Sequence, residues 1–104
     1  MRTIKLSKRA SKKLNELLEY LELKWSLNVK LDFIKKLDKS LAQIQQYPDS
    51  CQQTEFVKGL YMLIVTKQTS IFYRFDSKKI TIVMIFDNRM NPKKLKEKIN
   101  LSST

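Results

Sequence analysis

The chain has 104 residues, enough for one domain, and carries 21 Lys and Arg against 10 Asp and Glu, a net charge of +11. It holds no His, one Cys and one Gly, which excludes a His–Asp relay, a His-ligated zinc, an internal disulfide, a Cys-based metal cluster, a P-loop and a dinucleotide-binding loop. The apolar share of 42 % is too high for a disordered basic tail. No apolar run reaches the length of a membrane span and no signal-peptide core opens the chain, so a single cytoplasmic domain over residues 1–104 is expected, with no membrane partner.

In chain order, Arg2-Thr3-Ile4-Lys5-Leu6 alternates polar and apolar, the period of a strand with Ile4 and Leu6 on one face. Ser7 then offers a helix cap. Ala10, Leu14, Leu17, Leu18, Leu21 and Trp25 recur at spacings of three and four, so one stripe faces a core, Trp25 included. The first turns carry Lys8, Arg9, Lys12 and Lys13. Cations there oppose the helix dipole at roughly a few tenths of a kcal/mol each, which points to something negative in front of them.

Ser26-Leu27-Asn28 breaks the helix. Val29, Phe33, Leu37, Leu41 and Ile44 mark a second helix to about residue 46, Leu27, Leu31 and Ile34 widen its stripe, and Tyr47-Pro48 stops it. So short a break makes an antiparallel helical hairpin. Residues 49–54 read as a loop, Phe56-Val57 as the start of an extended segment, and Lys58-Gly59 as a turn or bulge. Residues 60–65 are a continuous apolar run, the pattern of a central strand buried on both faces. After a hairpin turn at residues 66–69 come an aromatic strand at 70–75, a turn at 76–79 and a β-branched strand at 80–86. Asp87-Asn88-Arg89-Met90 leaves the sheet, Asn91-Pro92 caps a short basic helix to about residue 99, and residues 100–104 fray.

The expected architecture is α+β: an N-terminal strand, then a helical hairpin covering one face of a three- to four-stranded, mainly antiparallel sheet, with a short C-terminal helix. The charge excess is spread over the chain, 11 cations and 6 anions in residues 1–50 and 10 and 4 in residues 51–104. It exceeds the ~2–8 charges that keep a small domain in solution and favours a nucleic acid or an acidic protein as partner.

Several segments together resemble the RelE/ParE superfamily of type II toxin–antitoxin toxins. They are the Lys-rich hairpin with Leu18-Glu19-Tyr20-Leu21 and Lys24-Trp25, Tyr47-Pro48, Phe72-Tyr73-Arg74-Phe75-Asp76, and the exit from Phe86 through Asp87-Asn88-Arg89-Met90-Asn91 to Pro92. The resemblance spans nearly the whole chain and implies a plasmid-stabilisation or stress module. RelE-like members enter the ribosome and cut messenger RNA; ParE-like members inhibit DNA gyrase and cleave nothing. Both are silenced by an acidic antitoxin that wraps them, so oligomeric state is expected to follow the antitoxin. No metal or other cofactor is expected.

Carried onto this sequence, the ribonuclease branch implies that Arg74 clamps the scissile phosphate and Arg89 makes a second phosphate contact. Lys58 and Lys67 would supply charge, one of them as base, and Tyr61 or Tyr73 would stack on a base or position the hydroxyl. Strand alternation sets Phe72 and Arg74 on one face and Ile71, Tyr73 and Phe75 on the other, so Arg74 is expected on the open face and Tyr73 in the core. Arg74 has an alternative as a partner of Asp87 or Asp76, and Arg89 as a partner of Asp87. Lys8, Arg9, Lys12 and Lys13, with Lys93 and Lys94, are candidate nucleic-acid contacts. Leu27, Leu31 and Ile34 are a candidate antitoxin floor, or else they complete the core. The exit carries no His, and a carboxylate at Asp87 would repel a reacting phosphate. Messenger-RNA cleavage is the first expectation, gyrase inhibition without catalysis the alternative, and a generic basic nucleic-acid-binding domain the third.

Overall fold

One hydroxyl joins the first strand, the first helix and the middle of the sheet: Ser7 Oγ accepts from Ala10 N at 3.0 Å and donates to the Val83 carbonyl at 2.9 Å. The computed structural model describes residues 2–90. They form β1 (Thr3–Leu6), α1 (Lys8–Lys24), α2 (Leu27–Gln46), β2 (Gln52–Gln53), β3 (Tyr61–Ile64), β4 (Thr69–Phe75) and β5 (Lys79–Asp87). Ser7 caps α1 and Ser26 caps α2, each accepting from the third residue on. The cap and helix expected at residues 91–99, the frayed end, and Lys93 and Lys94 lie outside the described residues.

The sheet order is β1-β5-β4-β3-β2, with β1 parallel to β5 and every other pairing antiparallel. The meander β3-β4-β5 stands as expected. The sheet has five strands rather than three or four, because Gln52 and Gln53, two polar residues with no alternation to signal a strand, pair with Met62 and Tyr61. Phe56-Val57 is not a strand. The Thr54 hydroxyl accepts from Val57 N at 3.3 Å and donates to the Val57 carbonyl at 3.1 Å, closing a local turn. That leaves Phe56 55 % exposed. The apolar run at 60–65 is not central either. Its outer neighbour β2 covers only Tyr61 and Met62, and Ile64 is exposed.

β5 carries a bulge. Phe72 faces Met84 and Tyr73 faces Ile82, so Val83 is the extra residue. The insertion resets the side-chain alternation. Ile80, Ile82 and Ile85 join Leu63, Ile71 and Tyr73 under the helices, while Met84 and Phe86 turn to the other face beside Phe72, Leu60 and Met62. The helical stripes of Ala10, Leu17 and Leu21 and of Phe33, Leu37 and Ile44 close the first of these cores. Three bonds tie the loops to it. Gln45 Nε2 donates to the Arg2 carbonyl at 2.7 Å, Arg2 Nε to the Asp76 carbonyl at 2.7 Å, and the Tyr73 hydroxyl to the Pro48 carbonyl at 2.6 Å.

Trp25 departs from expectation. It is the C-cap of α1, with φ −117° and ψ −86°, so it has left the helical path on which the stripe was counted. Its side chain is 57 % exposed rather than in the core.

Candidate functional site

β1 pairs only with Lys79–Ile82 of β5. Beyond Ile82 no strand among the described residues lies beside the outer edge of β5, and the chain turns there into α1, anchored by Ser7 on Val83. This brings the basic first turns of α1 to the open face of the sheet. Arg9, Lys12 and Lys13, with one carboxylate, Glu16, line a cleft of about 180 Å³ against Met84 and Ile85. Arg9 and Met84 also line a second cleft of about 120 Å³, whose far side is Arg74. Arg74 is exposed, as strand alternation predicts. It pairs with neither Asp76 nor Asp87; its Nη1 donates to the Lys58 carbonyl at 3.2 Å. Gly59, at φ +79°, makes the turn that presents this carbonyl. Lys8 and Lys58 are exposed nearby in sequence. The cations of α1 and Arg74 thus line adjoining clefts.

Arg89 and Lys67 lie at the other end of the sheet. Arg74 faces Thr81 and Thr69 faces Asp87; Thr69 and Arg74 are five residues apart along β4, about 17 Å at ~3.3 Å per residue. Lys67 is exposed in the β3–β4 turn, and its neighbours Thr66 and Gln68 share a small cleft with Arg89. Arg89 takes its ion-pair alternative: Nε reaches Asp87 Oδ1 at 3.0 Å and Nη2 reaches Oδ2 at 2.7 Å. Thr69 Oγ1 and Arg89 N also donate to this carboxylate. Burial alone would raise the Asp87 carboxyl, but the Arg89 guanidinium and the Thr69 hydroxyl outweigh it and hold Asp87 below the usual range. The bond to Asp87 in turn raises Arg89. The other face of the guanidinium lies 5.7 Å from the Trp25 ring centroid.

Tyr61 is in neither place. It stacks on Tyr73 at 5.6 Å and meets Phe75 at 5.1 Å on the helix side of the sheet. Tyr73 is fully buried, and burial, with Cys51 next, pushes its phenol far above the ordinary tyrosine value. The five residues proposed for phosphate chemistry therefore do not converge. Arg74 and Lys58 share one end of the sheet, Arg89 and Lys67 the other, and Tyr61 packs beneath the helices. Among the described residues no group of three His, Cys, Asp or Glu is placed to hold a metal ion, and no helix is long and apolar enough to cross a membrane.

A third surface lies at the tip of the helical hairpin. Leu27 is 53 % and Leu31 46 % exposed in the first turns of α2, and Leu23 at 70 % and Trp25 are exposed at the adjoining end of α1. Ile34 is half-buried and belongs less to this surface. Leu23 and Trp25 were not among the sequence candidates for partner binding. Leu23 had a legible signal, since it sits two residues past Leu21 and so on the outer side of an amphipathic helix.

The element order and sheet topology are those of the RelE/ParE-like α+β class. The family model described as "ParE toxin of type II toxin-antitoxin system, parDE" matches residues 4–92, and the chain belongs to that family. Toxin ParE1 of Caulobacter vibrioides is 24 % identical over 91 residues, covering 88 % of this chain and 94 % of that one. Among solved structures, the chromosomal ParDE system of P. aeruginosa superposes with a TM-score of 0.69 at 18 % identity, over 84 % of this chain and 96 % of that one. The YoeB dimer of Staphylococcus aureus gives 0.58 at 15 % identity, over 82 % and 94 %. The E. coli DinJ-YafQ complex gives 0.53 at 17 % identity, over 88 % and 98 %.

Proposed function

We propose that this chain arrests growth as a binding inhibitor of DNA gyrase rather than as a ribonuclease. The observation that carries this reading is the separation of Arg74 from Arg89, with Arg89 neutralised by Asp87. In-line cleavage of RNA needs a charge clamp, a base and an acid around one phosphate. Here Tyr73, next to the β4 arginine in sequence, has its hydroxyl on the Pro48 carbonyl in the core, where burial holds its proton in place. The ParE family match agrees in direction, and by the resemblance set out above that branch acts on gyrase without cleavage.

The partner that silences it is an antitoxin seated on the hairpin tip at Leu27 and Leu31, with Leu23 and Trp25 beside them. Two of the similar structures are described as toxin–antitoxin assemblies, ParDE and DinJ-YafQ. Exposed large apolar side chains gathered at one end of a molecule mark interaction surfaces, and an aromatic such as Trp25 is a residue type that anchors them.

Two assays decide the target. Purified chain added to gyrase is expected to inhibit supercoiling, and primer extension on translated messages after induction is expected to show full-length transcripts. New 5′ ends within codons, with undiminished supercoiling at high excess of the chain, would reverse the assignment in favour of cleavage.

A further inference from the structure

We infer that the cleft between α1 and β4 holds the sugar–phosphate backbone of duplex DNA, an inference that stands apart from the gyrase reading. The two cavities share Arg9 and Met84 and so adjoin, which sets Lys12 and Lys13 on one side of Arg9 and Arg74 on the other, with Glu16 the carboxylate among their lining residues. Among the described residues, none of Arg9, Lys12 and Arg74 takes part in an ion pair. Arg74 is held in place by the Lys58 carbonyl. Arg9 and Lys12 stand one turn apart, about 5 Å along the axis, at the end of α1 where the dipole is also positive. The fold therefore concentrates positive potential along these adjoining clefts, at a cost in self-repulsion that a polyanion would relieve.

The floor of the cleft selects among polyanions. Phe72 is 2 % and Met84 8 % exposed, and the other apolar residues of the second cleft, Val57, Leu60 and Val83, are half-buried, so the cleft gives a peptide less to anchor on than the exposed leucines of the hairpin tip do. It offers no free aromatic on which the bases of a single strand could stack. What remains is a ligand bound chiefly by its charges, and a duplex backbone is that ligand.

The test is fluorescence anisotropy of a labelled duplex of about 20 base pairs titrated with the full chain between about 50 and 200 mM salt. Three phosphate contacts at Arg9, Lys12 and Arg74 predict a slope of log affinity on log salt near −3, at about −0.9 per contact. The pair Arg9→Gln with Lys12→Gln is expected to lower its magnitude by about 2. The charge-matched pair Lys35→Gln with Lys39→Gln, exposed on α2, is expected to leave it unchanged. Both pairs lie on exposed helix positions where Gln is well tolerated, and Arg74→Gln gives an independent third reading. Equal losses from the two pairs would overturn the inference in favour of general surface charge. Tighter binding of single-stranded RNA than of duplex would overturn it, as would loss of antitoxin binding with the duplex slope intact. The duplex measurement contains no gyrase, so its failure and a failure of the supercoiling assay are read separately.

Discussion

The Arg89 guanidinium grips the Asp87 carboxylate at two points, 3.0 Å from Nε and 2.7 Å from Nη2, at a place where Asp87 is 1 % exposed. Removing either partner leaves the other charge largely buried without its counter-charge, although Thr69 Oγ1 and the backbone N–H of residue 89 still donate to Asp87 when the guanidinium is gone. Arg89→Ala is expected to cost about 3 kcal/mol, read by urea unfolding, and Asp87→Ala a similar amount. The double variant is expected to cost clearly less than the sum.

The same pair sets an acid limit. Asp87 is held below the usual carboxylate range in the fold, so the unfolded chain binds more protons as the pH drops. The stabilisation is complete above the unfolded carboxyl pKa of about 3.9 and is lost as pH falls through the lower folded value. Urea midpoints measured from neutral pH downward should therefore decline less steeply below about pH 4 in Asp87→Asn than in the parent. Asp76 is also lowered, by the backbone N–H groups of Lys78 and Lys79; it is present in both proteins, so their difference isolates Asp87.

Tyr73→Phe removes a buried bond of 2.6 Å and leaves the Pro48 carbonyl without its donor. A loss of about 1–3 kcal/mol is expected in urea unfolding. Because burial keeps this phenol protonated, the variant should still inhibit growth wherever it remains folded. Abolished toxicity with intact stability would give Tyr73 a chemical role.

Gly59→Ala tests the turn behind Arg74. At φ +79° an L side chain is strained, while a Cβ there would meet Arg74 Nη1 at 3.5 Å, an ordinary contact. The cost is then a backbone cost of about 1 kcal/mol, seen as a lower melting temperature.

Leu27→Asp with Leu31→Asp tests the hairpin tip. Both side chains are about half exposed, so the melting temperature should hold. Affinity for the co-expressed antitoxin should fall at least about tenfold by calorimetry.

The helices, the meander and the direction of Arg74 were legible because each rests on periodicity: stripes at three and four in α1 and α2, alternation across Ile71, Phe72 and Tyr73. The bulge at Val83 was not, since an extra residue in a run of β-branched side chains leaves the composition unchanged while exchanging the faces of Met84 and Ile85. Gln52–Gln53 carries no strand signal at all; its pairing is dictated by β3. Trp25 obeyed the count but not the geometry, because a helix count continues past a cap that the backbone does not. The partition of cations between the two ends of the sheet depends on which strand ends neighbour each other, which no single segment records.

β2 pairs through only two residues and β1 through four, with Lys5 on the latter. The rims that β1 and β2 form thus offer little length, and one of them a charge, to a strand from another molecule. Strand addition at these two rims is therefore a poor route by which one copy of the chain could template another.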